Sequence, residues 1–441
     1  MKIYFFLTLL ALSSCTYRDM SLEHVEIGKK LIDSYLTGPT KDLFKVYHFI
    51  FEKAYSLNTE EGVRRYKIFK TNVQQIKEHN AKNLSWQMGV NQFTDLTDEE
   101  FVKLVGALPY SELTKNIRDN DDDDNIKPQP LPPQKSNIRG SNKFELFDEL
   151  TKDMHRNLGA FDLFDELLDL HENGSKKFEN NQVNNSTNIT VLPEVDHRSF
   201  ANSIKNQGGC GSCYAFATIT AVETNYNIQY EKKFGQRANN VKLVTPVLAP
   251  QQIVDCVTWN GKKWGCQGGW MPLVMEQMAT TGMGFYPQSL YPYRANNGNC
   301  TVPATEPVAL LDKSIRGHVG CDKYRFTKPA TRCTKESWHK LLSEGPLTVV
   351  YDTNFIKSYS KGILDVTGLK CASTTHAVTA VAWKHNIVNE VKKEYVVIQN
   401  SWGQWWGEKG FMNVYFNAEN ETCLLTSMGQ RPVFDLNSIK K

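Results

Sequence analysis

Two cysteines lie three positions apart in a glycine-rich turn, Gln207-Gly-Gly-Cys-Gly-Ser-Cys-Tyr-Ala-Phe216, and Tyr214 to Glu223 then reads as a mostly apolar helix. This pattern places Cys213 at a helix N-terminus, where unpaired backbone amides and the helix dipole stabilise a thiolate. A deprotonated sulfur there is a nucleophile near neutral pH. Gln207, six residues earlier, is placed to offer its side-chain amide to an oxyanion beside the thiol. The same Cys-x-x-Cys also admits a dithiol redox pair or half of a zinc site. Zinc would need a second ligand pair at similar spacing, and no convincing one is present.

A thiolate nucleophile needs a base. Of ten histidines, His376 stands apart because it opens the alternating, strand-like run Thr375-His-Ala-Val-Thr-Ala-Val381, which would hold an imidazole rigidly. A second strand pattern, Tyr395 to Asn400, runs into Ser401-Trp-Gly-Gln-Trp-Trp-Gly407. Two strands of one sheet would set Asn400 beside His376 to accept a hydrogen bond from the ring and fix its tautomer, with Trp402 shielding that bond from water. Nucleophile, base and orienting group together are the apparatus of acyl transfer.

The rest of the chain must position these residues. Its 441 residues suggest two or three folding units, and 11% aromatics with 40% hydrophobic residues exclude wholesale disorder. The formal net charge of +3 shows no polycation aimed at nucleic acid. Met1-Lys2, the apolar run Ile3–Leu12 and Ser13-Ser14 describe a signal peptide over residues 1–15. In a bacterial source, Leu12-Ser-Ser-Cys15 would read as a lipid-attachment site. No later apolar run approaches the ~18 residues of a membrane span.

Nine cysteines follow Cys15, all from Cys210 onward: Cys210, Cys213, Cys256, Cys266, Cys300, Cys321, Cys333, Cys371 and Cys423. An odd number in an oxidising compartment implies one thiol kept free or a partner outside the molecule. Sequons at Asn83, Asn173, Asn184, Asn185, Asn188, Asn299 and Asn420 agree with a glycosylating lumen. Residues 16–105 read as a helical, charged domain. Residues 106–191 read as an acidic, Pro- and Asn-rich extension with a linker at Asp121–Pro133 and two amphipathic repeats, Phe144–Leu150 and Phe161–Leu167. Residues 192–441 carry 27 Lys+Arg against 19 Asp+Glu, net +8; subtraction from 51 and 48 leaves 24 and 29, net −5, for residues 1–191. Opposite charges suit an inhibitory segment and its target, and acid should loosen that attraction by protonating prosegment carboxylates.

These motifs together resemble the papain-like cysteine proteases. The turn around Cys213 matches the catalytic-cysteine motif, with Tyr214 where tryptophan is commoner. Leu192-Pro-Glu-Val-Asp-His-Arg198 looks like the family's mature N-terminus, with His197 in place of tryptophan. Gln251–Cys256, Gly265-Cys-Gln-Gly-Gly269 and Asn400–Gly407 match further motifs. Upstream, Glu61, Arg65, Phe69, Asn72, Ile76 and Asn80 are similar to the interspersed propeptide motif of the cathepsin L-like branch; at ~100° per residue they fall within about 100° of one helix face. Gly89, Asn91, Phe93 and Asp95 match the second propeptide motif.

The resemblance implies an α+β, two-lobed fold, a helical lobe carrying Cys213 and a β-barrel-like lobe carrying His376 and Asn400, behind a helical inhibitory propeptide. It implies a secreted zymogen of an endopeptidase acting on protein or peptide substrates, with its own propeptide as intramolecular inhibitor, no metal or cofactor, and a monomeric mature form. The destination would be lysosome, digestive vacuole or extracellular space. It implies bridges Cys210–Cys266, Cys256–Cys300 and Cys371–Cys423; Cys321 and Cys333 are then expected to pair, leaving Cys213 free. Gly268, Gly269, Trp270, Met271, Val350, Ala377 and Met428 would contact substrate, the last five lining an apolar main specificity pocket.

There are departures. His376 and Asn400 lie 163 and 187 residues after Cys213, beyond the ≈130–150 usual in this family. Insertions at 230–247, 312–332 and 385–393 are expected to be surface loops. Thr375 stands where many relatives carry aspartate. An inactive, peptide-binding homologue and a redox protein built on Cys210 and Cys213 are the rival readings.

Overall fold

The structure, a computed structural model, describes residues 20–105, 108–109, 191–235, 247–259, 262–281, 283–301, 315–322, 333–353, 356–367, 374–388, 391–416, 428–435 and 437. The signal peptide, the acidic linker, both Phe repeats, Cys371–Cys423 and the sequons at Asn173, Asn184, Asn185, Asn188 and Asn420 lie outside them.

The described chain forms two compact units. One comprises residues 27–63; the other comprises 21–26, the prosegment from Arg64 onward and everything from Leu192. Helices α1 (Leu22–Leu36) and α2 (Thr40–Ile50) come first. On α2, Leu43, Phe44, Val46, Tyr47, Phe49 and Ile50 are buried, an apolar stripe at helical spacing. Phe44 stacks on Tyr47 with ring centroids 6.1 Å apart.

Helix α3 (Glu60–Asn80) is the spine of the prosegment, and within the larger unit its motif residues hold the chain that follows. Phe69 and Ile76 are fully buried. Asn72 Nδ2 donates to the carbonyls of Thr94 and Leu96 at 2.7 and 3.0 Å. Asn80 pairs with both backbone groups of Met88 at 2.9 Å. Arg65 Nη1 donates to the Asp95 carbonyl at 3.0 Å and to the Glu100 carboxylate at 2.7 Å. These side chains satisfy the backbone of an otherwise irregular segment, which is why polar residues sit on the buried face of α3.

Strand β1 (Trp86–Met88), helix α4 (Asp98–Val105) and strand β2 (Leu108–Pro109) complete the prosegment. Thr97 and Glu100 form a capping box at the start of α4, each side chain accepting the other's backbone N–H. Gly89 is required by space: a Cβ there would meet the Ser360 side chain at 2.9 Å.

From Leu192 the elements are β3 (Val195–Asp196), α5 (Cys213–Phe234), α6 (Pro250–Cys256), β4 (Thr258–Trp259), β5 (Lys262–Lys263), α7 (Met271–Thr281), β6 (Ile315–Asp322), α8 (Lys335–Glu344), β7 (Leu347–Asp352), β8 (Tyr359–Leu364), β9 (Thr374–Val388), β10 (Val391–Gln399), β11 (Phe411–Tyr415) and β12 (Met428–Phe434). Every residue of α5 from Cys213 to Ile228 is buried, the mark of a helix at the centre of a core. Its one buried carboxylate there, Glu223, is satisfied by Lys205 at 2.6 Å and by the Leu248 amide.

The described strands build a ten-stranded sheet in the order β1-β8-β11-β10-β9-β7-β12-β6, with β2 and β3 also pairing along β9. Helices and sheet together give the α+β class. Parts of all three regions expected as surface loops are instead regular structure, residues 230–234 being the end of α5. Residues 315–322 are strand β6, paired along β12, and residues 385–388 and 391–393 prolong the β9–β10 ladder, with Lys392 opposite Ile387 and Glu394 opposite His385. Added length is accommodated there by prolonging an existing ladder, which keeps each new backbone group paired.

Candidate active site

Cys213 is the first residue of α5, preceded by a turn pinned on several sides. The Cys210–Cys266 disulfide closes it. The Gly211 amide donates to the Cys266 carbonyl at 3.1 Å, and the Gly268 amide returns to Gly211 at 3.0 Å. The Tyr293 hydroxyl donates to the Gln207 carbonyl at 2.7 Å and hydrogen-bonds Ser212 Oγ at 2.6 Å. Gly269 packs so closely that a Cβ would strike the Trp264 and Tyr214 rings at 2.6–2.7 Å. The Tyr214 hydroxyl donates to the Gly265 carbonyl at 2.9 Å, a bond from the position where relatives more often carry tryptophan.

Backbone amides of Ala377, Tyr214 and Cys213 itself reach the Cys213 sulfur and favour its thiolate, yet burial outweighs them and pushes the thiol up to about 11. Helix-end chemistry is therefore present but masked in this closed form. Among the described residues Cys213 is the free cysteine. Cys256–Cys300 and Cys321–Cys333 are also bonded. Since Cys210 is joined to Cys266 rather than facing Cys213 as a thiol, the dithiol redox reading is removed.

Strand β9 carries His376, opposite Tyr351 of β7, and Asn400 follows directly on β10. His376 Nε2–H donates to Asn400 Oδ1 at 2.8 Å. Ser401 N–H donates to the same oxygen at 2.7 Å, so the amide is fixed with its oxygen toward the ring. Nδ1 of His376 is left as the proton-accepting atom, buried and without a hydrogen-bond partner. Burial pulls the imidazole down to about 4, against the opposing effect of Asn400. The Trp402 indole stacks on the ring, centroids 4.6 Å apart, closing one face to water. The residue after His376 is the Ala377 whose amide reaches Cys213, which brings base and thiol to one place.

Gln207 ties the Cys213 turn to the segment that follows β10. Its Oε1 accepts from Ser401 Oγ at 2.7 Å, which directs Nε2 toward the Cys210 carbonyl at 3.0 Å and the Val105 carbonyl at 3.1 Å. Ser401 and Tyr293 thus position Gln207 and its turn. Ser401 stands in a motif without an assigned part, and Tyr293 carries no sequence signal of its role. Trp270, Met271, Val350, Ala377 and Met428 share one buried apolar cluster with Cys213.

The prosegment lies on this site. Phe93 and Phe101 meet the Trp402 indole edge-on at 5.5 and 5.2 Å, and Gln92 Nε2 donates to the Trp402 carbonyl at 2.7 Å. Leu108 pairs with Thr375 in β-register.

Residues 192–433 match the papain family cysteine protease description, more than half of the chain. The chain belongs to the papain family of cysteine proteases. Residues 44–101 match the cathepsin propeptide inhibitor domain, so this papain-like cysteine endopeptidase is built as a zymogen. It is 27% identical to cysteine protease XCP2 of Arabidopsis thaliana over 423 residues, 93% of this chain and 89% of that one. It is 32% identical to zingipain-2 of Zingiber officinale over 236 residues, 52% of this chain and 90% of that one. Its fold is shared with a digestive procathepsin L 3 of Tenebrio molitor larval midgut, with a TM-score of 0.59 at 22% identity, covering 90% of this chain and all of that one. Among the described residues of this papain-family chain, no helix is long and apolar enough to cross a membrane.

Proposed function

We propose that this papain-family zymogen matures into an endopeptidase of the secretory pathway that cleaves peptides by a Cys-His-Asn acyl-enzyme route. Cys213, as thiolate, attacks the scissile carbonyl. His376 gives its proton to the leaving amine, then takes one from the water that hydrolyses the thioester. Asn400 holds the ring through Nε2–H so that Nδ1 serves the thiol, Trp402 keeps water off that bond, and Gln207 Nε2 with the Cys213 amide stabilises the tetrahedral oxyanion. The observation carrying this reading is the 2.8 Å His376–Asn400 bond with the sulfur held by the next residue's amide. The Trp270, Met271, Val350, Ala377 and Met428 cluster supports a main specificity pocket for aliphatic or aromatic side chains.

Three disulfides and exposed sequon asparagines at Asn83 and Asn299 support passage through an oxidising, glycosylating compartment. The test is hydrolysis of fluorogenic peptides by the matured chain, with Cys213→Ala and a thiol-directed epoxide as controls. Retained turnover in Cys213→Ala overturns the mechanism. A clear preference for arginine over leucine or phenylalanine at the pocket position overturns the specificity.

A further inference from the structure

The segment that begins the peptidase region is held by contacts that do not involve the prosegment. Val195 and Asp196 pair with Trp383 and Ala382 on β9. His339 Nε2 on α8 donates to the Pro193 carbonyl at 2.8 Å, and buried His197 donates to the Leu342 carbonyl at 2.7 Å. Lys384 lies 3.2 Å from Asp196, and the His385 amide donates to Glu194 at 3.2 Å. At the head of the segment, the Leu192 nitrogen stands 2.8 Å from Glu394 Oε1. Glu394 follows directly on the added length of β10, opposite His385 of β9. Its side chain is only 9% exposed, and its other oxygen is paired with Lys335.

We propose that Glu394 is a receptor for the α-ammonium group created when maturation cuts the chain immediately before Leu192. The inference rests on the zymogen reading. Hydrolysis adds water across that bond: hydroxyl goes to the carbonyl carbon of residue 191 and a proton to the nitrogen of Leu192, which ionises to an ammonium. A neutral N–H···O contact then becomes a charge-assisted one at the same place, without rebuilding the site. A nearly buried carboxylate oxygen aimed at a single backbone nitrogen is well matched to this use, because an ammonium brings three donors where the amide had one. The second acceptor oxygen stays with Lys335, so the carboxylate sits between two cations in the mature form. Strand β10 thereby carries the partner of the new chain end.

The sign of the pH dependence follows. An unperturbed α-amino group titrates near pH 7.7–8.0; a carboxylate partner raises that value in the folded state. The stabilisation is therefore complete below about pH 8 and is lost as pH rises through the raised value. Lys335 and the cross-strand His385 are the other titratable groups beside Glu394. They are common to both chain ends compared below.

The test uses the full chain carrying Cys213→Ala, so that no self-cleavage interferes and peptidase activity is not the readout. Residues before Leu192 are replaced by the recognition sequence of a protease that cuts after it, giving either Leu192 itself or Gly-Ser-Leu192 as the new end. Expected is a melting temperature about 2–4 °C higher for the Leu192 end at pH 7, a gap that closes by pH 10 and is absent in Glu394→Gln. Equal melting of the two ends at pH 7 overturns the receptor, and so does a gap that survives Glu394→Gln. If that variant does not fold, the comparison of chain ends at the two pH values decides alone. Failure of the zymogen reading would show separately, as an active-site chain that hydrolyses no peptide after the same cut.

Discussion

The side-chain amide of Gln207 donates to the backbone carbonyl of Val105 at 3.1 Å. A donor proposed for the reaction's oxyanion is thus occupied, in the zymogen, by a peptide carbonyl of the prosegment. On that proposal, inhibition and catalysis draw on one hydrogen-bond donor. The inhibitor offers a carbonyl oxygen that can accept the bond, on a chain held by α4 and β2 rather than presented for attack.

Gln207→Ala tests both uses together. In the matured enzyme it is expected to lower kcat by about 10²–10³-fold, the usual loss for one oxyanion donor, with KM changed far less. Of the hydrogen bonds this variant removes, only the one to Val105 reaches the prosegment, an ordinary neutral bond of about 1 kcal/mol, so inhibition by the prosegment weakens less than tenfold. Steady-state kinetics and the inhibition constant of the prosegment give both numbers. A KM effect with kcat intact would remove Gln207 from the chemistry.

Acid should favour opening of the zymogen, through His376. In the closed form burial holds the ring near 4, whereas on exposure it returns toward 6.5. The closed form therefore binds fewer protons than the open one. Its advantage is complete above pH 6.5 and declines as pH falls toward 4, by up to about 3 kcal/mol. The buried Cys213 thiol stays protonated throughout that range. Alkylation of Cys213 in the intact zymogen should be slow at pH 7.5 despite the ordinary reactivity of thiols there. Opening followed by hydrogen exchange around β9 should steepen between pH 6 and 4; a flat profile would exclude His376 as the sensor.

The Glu100 brace should outlast that acidification. Burial alone would raise its carboxyl, but Arg65, Arg64 and the Thr97 amide hold it instead at about 2. Its contribution is present above the ordinary carboxylate value and is lost only as pH falls toward 2. The α3–α4 scaffold is therefore expected to stay folded at pH 4.5, with unchanged exchange protection over residues 64–100. Glu100→Gln should loosen it at pH 7, read as leak activity of the zymogen. Protonation of prosegment carboxylates in general, the lever suggested by charge balance, does not reach this one.

Local chemistry was the part most open to reading from sequence. The Cys213 turn, the His376 strand and the Asn400 motif are short, and each pairs a special residue with turn or strand composition. The polar stripe Arg65, Asn72 and Asn80 could be placed on one helix face, yet its purpose needed the fold, because most of its partners are backbone groups with no sequence identity of their own. Residues 385–388 and 391–393 were misread as a loop because the largely polar and charged composition from Lys384 to Glu394 suits an exposed hairpin as well as a coil. The masking of Cys213 was beyond local reading altogether: its burial comes with the fold, just as the cover over Trp402 comes from Phe101, far upstream in the chain.

That remote burial leads to the Phe101 prediction. Phe101 is 2% exposed and packs its ring on Trp402, which in turn stacks on His376. Phe101→Ala removes a ring from a closed apolar contact, a change that costs about 3–5 kcal/mol in a packed core. Here the prosegment can respond by lifting off, so the loss should appear as affinity: prosegment inhibition weakened by roughly 100-fold or more, since about 1.4 kcal/mol is tenfold. Water admitted over Trp402 should also bring His376 back toward its ordinary range, moving Cys213 alkylation by the zymogen to a near-neutral rate. Phe101→Leu keeps most of the apolar contact and should lie between. If Phe101→Ala left both the inhibition constant and the alkylation rate at wild-type values, the seal over His376 would have to come from elsewhere in the prosegment.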